Sequence, residues 1–187
     1  MVFKDLGFSV DEIVCEPNDD VEKALHSVAS RDYGEYNLFV CFVQSSVIKD
    51  LIIEGFGGRV LSVTELLARF SSRFHLLQRE RPKIFIIQGH QTTATFGIDE
   101  PRYERSLPKL LFKESVSIKL PDENFLCLFF PYRKGYISTL LSVIKSQSSE
   151  PREILDILSE AKKSFYEKNH ITIPDPVHNL TGPVYLN

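Results

Sequence analysis

Lys83-Ile84-Phe85-Ile86-Ile87-Gln88-Gly89-His90-Gln91-Thr92 is the stretch that decides the fold. Ile84 to Ile87 is an unbroken β-branched and aromatic run. It is too short for a helix and lacks the alternation of a half-exposed strand, so it reads as a strand covered on both faces. Pro82 sets its start. The run then changes abruptly to small and polar residues. In an open α/β sheet ligands bind in the crevice beyond the carboxyl ends of the strands, so Gln88, Gly89 and His90 are expected to line a site. The plainer reading of the same residues is a strand followed by a polar loop.

The rest of the chain supplies neighbours for that strand. Leu38 to Val43 is a second doubly covered strand, ending in Gln44, Ser45 and Ser46, and Phe125 to Phe130 is a third. Val2, Phe3 and Leu6 before Gly7 read as a helix end with a glycine stop. Phe8 to Cys15 alternates as a short strand through Phe8, Val10 and Ile13. Val21, Ala24, Leu25 and Val28 make an amphipathic helix over about Asp20 to Ala29. Gly55, Gly57 and Gly58 suggest a small hairpin and resemble no phosphate-binding loop. Ser62 with Glu65 forms a capping-box pattern, opening a helix from Ser62 to Phe74. Pro151 to Lys168 is a helix with Ile154, Leu155, Ile157, Leu158 and Ala161 inward, and Leu180 to Leu186 reads as a last strand. Strands alternating with helices, with the strands buried, imply an α/β fold with a mostly parallel sheet.

Composition narrows the function. With 187 residues, 43% of them hydrophobic and 25% charged, the chain suits one domain with a real core, residues 1–187. A net charge of -3 and a pI near 6.0 argue against nucleic acid or a membrane surface as partner. The first ten residues show no secretory pattern, and nowhere do about 18 apolar residues follow one another, so a cytoplasmic protein is expected. Cys15, Cys41 and Cys127 form no paired motif and suit reduced thiols. The five histidines lack ligand spacing, so no metal and no cofactor is expected.

Several strings, in shared order and spacing over nearly the whole chain, resemble the caspases, the aspartate-specific cysteine peptidases of family C14. Leu6-Gly7-Phe8 is similar to the end of that family's first helix, and Phe39-Val40-Cys41 to the strand leading to its catalytic histidine. Pro82 to Gln88 is similar to the strand leading to its catalytic cysteine. Asn124-Phe125-Leu126 with Gly135-Tyr136-Ile137-Ser138 resembles its fifth strand and exit loop, and Leu180-Thr181 with Val184-Tyr185-Leu186 its final strand. The resemblance divides the chain into a large-subunit-like part, 1–98, a connector, 99–119, and a small-subunit-like part, 120–187.

The departures from the family are chemical. His90 stands where the resemblance puts the nucleophilic cysteine, and Ser46 where it puts the general base. Gln88 remains from the pocket for the substrate aspartate, whereas Thr139 stands where the family has Trp-Arg, and a guanidinium fork is not replaced by a hydroxyl. A thiolate attacks and an imidazole carries the proton. Removing either costs roughly a millionfold in comparable enzymes. An inverted Ser46–His90 pair would need contact at about 3 Å and rearranged oxyanion donors.

The expectation is therefore a pseudoenzyme, not an enzyme. It would regulate apoptosis or a related caspase pathway by pairing with an active caspase paralogue, or with itself, through Leu180, Thr181, Val184, Tyr185 and Leu186. Pro183 weakens that strand. The alternatives are an active peptidase with a non-standard site and a non-functional fragment. Asp99 is the only aspartate between His90 and Pro121, and Glu100-Pro101 after it fits a processing site badly, so an uncut chain is expected.

The resemblance further implies a three-layer α/β/α sandwich that lacks the family's first strand, since the chain starts inside what resembles the family's first helix. That strand would sit between Phe8 to Cys15 and Leu38 to Val43. Three explanations stand open: a partial gene product, a neighbouring strand that slides over, or a strand supplied by a partner.

Overall fold

The computed structural model describes residues 2–15, 21–47, 51–54, 60–71, 80–91, 118–131, 133–146 and 151–186. In chain order these hold α1 (Val2–Asp5), α2 (Val21–Ala29), β1 (Phe39–Val47), β2 (Ile52–Glu54), β3 (Val60–Ser62), α3 (Val63–Ala68), β4 (Lys83–Gln91), β5 (Phe125–Pro131), α4 (Tyr136–Lys145), α5 (Ile154–Asn169) and β6 (Val177–His178). The strands form one sheet in the order β3-β2-β1-β4-β5-β6. β1, β4 and β5 run parallel and carry most of the ladder, while β2, β3 and β6 pair antiparallel at the flanks.

Strand alternation sorts the apolar residues into two cores. Ile84, Ile86, Leu126, Leu128 and Phe130 face one side and meet α4 and α5 through Tyr136, Leu140, Ile157, Leu158 and Phe165. Phe85, Ile87, Phe125, Cys127 and Phe129 face the other and meet α3 through Val63, Leu66 and Leu67. Both faces of Ile84 to Ile87 are thus buried, as the continuous apolar run requires. The result is the expected α/β/α sandwich, with Phe85 stacked on Phe125 at 6.0 Å in the second core.

Local signals set several boundaries. Gly7 takes a φ of 84°, the left-handed conformation that ends α1. The Ser62 capping box is formed: its hydroxyl accepts from the Glu65 amide, and the Glu65 carboxylate accepts from the Ser62 amide. That amide holds the Glu65 carboxyl below its ordinary range. Ala68 ends α3 ahead of the expected Phe74, and 72–79 lie outside the described residues. The glycine cluster, Asp99 and most of the connector lie outside them too.

Two expected strands are corrected. Phe8 to Cys15 has no strand structure. Phe8 instead packs on Phe3 at 5.3 Å, Asp11 pairs with Arg31, and Ile13 and Val14 are exposed. Leu180 to Leu186 is not a strand either. The short strand β6 precedes it, and the Thr181 amide and hydroxyl both donate to the Asn124 side-chain oxygen. Gly182-Pro183 follows, and proline offers no amide for a ladder.

With Phe8 to Cys15 unpaired, no strand among the described residues covers the outer edge of Phe39 to Val43. The Phe39 amide donates to Pro82 at 3.1 Å, on the β4 side. Backbone groups alternate along a strand, so those of Cys41 and Val43 also point at β4 and those of Val40 and Phe42 point outward.

Candidate functional site

The polar run after each apolar stretch continues its strand instead of turning into a loop. β1 extends through Gln44, Ser45 and Ser46 to Val47, and β4 through Gln88, Gly89 and His90 to Gln91. The cause is mutual pairing, because parallel backbone bonds carry both strands past their apolar residues. Gln44 pairs with Gln88, Ser45 with Gly89, Ser46 with His90 and Val47 with Gln91. The reading of a strand that ends at Ile87 and passes into a polar loop is corrected accordingly.

Ser46 and His90, singled out by the sequence resemblance, are therefore register partners at the carboxyl ends of the central strands. β2 adds a third position, since Glu54 pairs with Ser46 on the opposite edge of β1. Glu54, Ser46 and His90 form one row across three strands. Sequence reasoning missed Glu54, since only the register of the β2–β3 hairpin brings it there. Gln88 is buried, at 6% exposure, with Phe130 of β5 as its partner on the other side.

The other expected residues fall elsewhere. Thr139 lies in the first turn of α4, where its hydroxyl donates to the Gly135 carbonyl at 2.9 Å. Cys41 and Cys127 are the two register partners of Phe85, five residues back from the Ser46–His90 row. Burial pushes both thiols up to about 12, so neither holds a thiolate near neutral pH. Val184 and Leu186 are buried in the first core and Leu180 packs at its margin. The Val184 carbonyl accepts from the Ile154 amide at 2.8 Å, and Tyr185 bridges to Glu153, so this segment ties down the start of α5. Tyr185 itself is exposed.

Among the described residues no three His, Cys, Asp or Glu side chains gather as a metal site. Nor is any described helix long and apolar enough to cross a membrane.

No family model matches the sequence, and no curated protein matches it. A solved structure described as "structure of pro-sf-caspase-1" superposes with a TM-score of 0.70 over 97% of this chain and 76% of that one, at 18% identity. This likeness corrects the expectation that the chain is not an enzyme. The shared fold is that of a caspase proform, and a match at this identity lends no support to an absence of catalysis. What it shows is the architecture: the chain has a caspase-like α/β fold.

Proposed function

We propose that this caspase-fold chain acts in apoptosis or a related caspase pathway by binding an active caspase, as a heterodimer, or by pairing with itself. The observation that carries the reading is the β6 edge of the sheet. β6 is the outermost strand on its side, Val177 within it is 37% exposed, and Tyr185 nearby in sequence is 47% exposed. An outer strand with an exposed apolar side chain suits pairing with the like edge of a second sheet across a two-fold axis. Pro183 lies beyond β6 and removes no donor from it. The test is capture of purified active caspases by the purified chain, repeated with Val177→Asp and Tyr185→Ala. Retention by the unmodified chain and loss in the variants is the expected outcome.

A second reading is an aspartate-directed endopeptidase with a non-standard site. The Glu54–Ser46–His90 register row favours it, since it brings a hydroxyl-bearing, an imidazole-bearing and a carboxylate-bearing residue to neighbouring backbone positions. Its signature is cleavage after aspartate in a peptide substrate, lost in both Ser46→Ala and His90→Ala.

A further inference from the structure

Between α5 and the segment that leads into β6 lies a cavity of about 230 Å³, remote from the β1–β4 row. Leu128 and Leu158 give it an apolar lining, and Pro174 and Pro176 stiffen the strap across it. Lys162 and Asp175 meet at 2.5 Å at its margin, so their charges cancel there.

Tyr136 also lines this cavity and is 1% exposed. Its ring is held edge-on by Phe130 at 4.9 Å and Phe165 at 5.5 Å. Its hydroxyl has no hydrogen-bond partner among the described residues and is open to the cavity, not sealed in the core. Burial pushes that hydroxyl above its ordinary pKa, so it stays protonated and can both donate and accept. A hydroxyl that opens onto a cavity without a protein partner is available to a ligand atom that meets it in place of water.

We infer that this cavity is a binding site for a small uncharged aromatic molecule with one hydrogen-bonding group, its ring packed on Leu128 and Leu158 and its polar group against the Tyr136 hydroxyl. Size supports a single ring, since an apolar cavity of about 150 Å³ holds benzene. At the margin Lys162 and Asp175 are paired with each other, and, Tyr136 apart, His178 is the one other ionisable residue of the lining. This inference does not rest on the partner-binding reading, although Pro176 and His178, on either side of Val177, also line the cavity.

Phenol and toluene are the probes, matched in size and differing in the hydroxyl. Each is titrated into the full chain by saturation-transfer NMR. Phenol is expected to bind saturably, and Tyr136→Phe to lower the phenol-to-toluene affinity ratio about fivefold. Leu158→Phe, which fills the cavity, abolishes binding of both. Circular dichroism checks that each variant is folded, and Ser159→Phe at the margin serves if Leu158→Phe is not. No saturable phenol binding to the unmodified chain, or a ratio unmoved by Tyr136→Phe, overturns the site and leaves a cavity that holds water only.

Discussion

Ser46 and His90 face each other across the parallel pair β1 and β4, the last polar partners before the strands end at Val47 and Gln91. Adjacent strands lie about 4.8 Å apart, within the Cα separation of about 4.4–6.8 Å that a disulfide spans. Ser46→Cys with His90→Cys is expected to form a disulfide on mild oxidation, read as loss of two thiols by mass after alkylation. Ser46→Cys with Gln88→Cys, offset by two residues to about 8 Å, stays reduced. The opposite pattern would mean a slipped register.

The outer edge of β1 gives a second expectation. Val40 and Phe42 direct their amides away from β4, whereas Cys41 and Val43 direct theirs at it. Hydrogen exchange is therefore faster at Val40 and Phe42 than at Cys41 and Val43. Proline imposes the same ring constraint at either position, but Cys41→Pro also removes a ladder bond. It is expected to cost about 2 kcal/mol more than Phe42→Pro in denaturant unfolding. Equal losses would show that something pairs with this edge.

Lys83 is almost fully buried at the start of β4, its ammonium 5.0 Å over the Phe125 ring and donating to the Arg81 carbonyl at 3.2 Å. Desolvation lowers its pKa from 10.5 in spite of Asp122. Because the folded value is the lower one, the charged form opposes folding below it, and that opposition fades as pH rises through the folded pKa toward 10.5. Lys83→Met is thus more stable than the unmodified chain at pH 7, and its advantage narrows as the pH approaches 10.5. A difference independent of pH would contradict this.

Asn124 joins three segments from a left-handed backbone with φ of 63°. Its amide donates to the Glu80 carbonyl at 3.3 Å, and its oxygen accepts from the Thr181 amide at 3.0 Å and hydroxyl at 2.7 Å. Asn124→Gly loses the side-chain bonds alone, and Asn124→Ala adds backbone strain. Losses of about 2 and about 3 kcal/mol are expected in chemical denaturation. An alanine variant no worse than glycine would remove strain from the explanation.

The doubly covered strands were legible because hydrophobicity alone specifies them: Ile84 to Ile87 and Phe125 to Phe130 have apolar neighbours on both faces. The Ser62–Glu65 cap was legible because it is local. What hydrogen bonding decides was not. β4 continues through Gly89 and His90 because β1 runs beside it, and the alternation of Phe8, Val10 and Ile13 makes no strand because no ladder receives it. Likewise Leu180 to Leu186 has the composition of a strand, yet its Thr181 donors are taken by Asn124. At the site, positions 46 and 90 were identified through the family resemblance. Glu54 was invisible, since the register of a hairpin depends on its turn and not on a pattern of apolar residues.

The most direct test of the proposed function is sedimentation velocity of the chain mixed with a purified active caspase, with and without Val177→Asp. The account predicts a faster-sedimenting complex that disappears in the variant while the variant itself stays folded. Independent sedimentation of the chain from every caspase tried, or a complex undiminished by Val177→Asp, would contradict it.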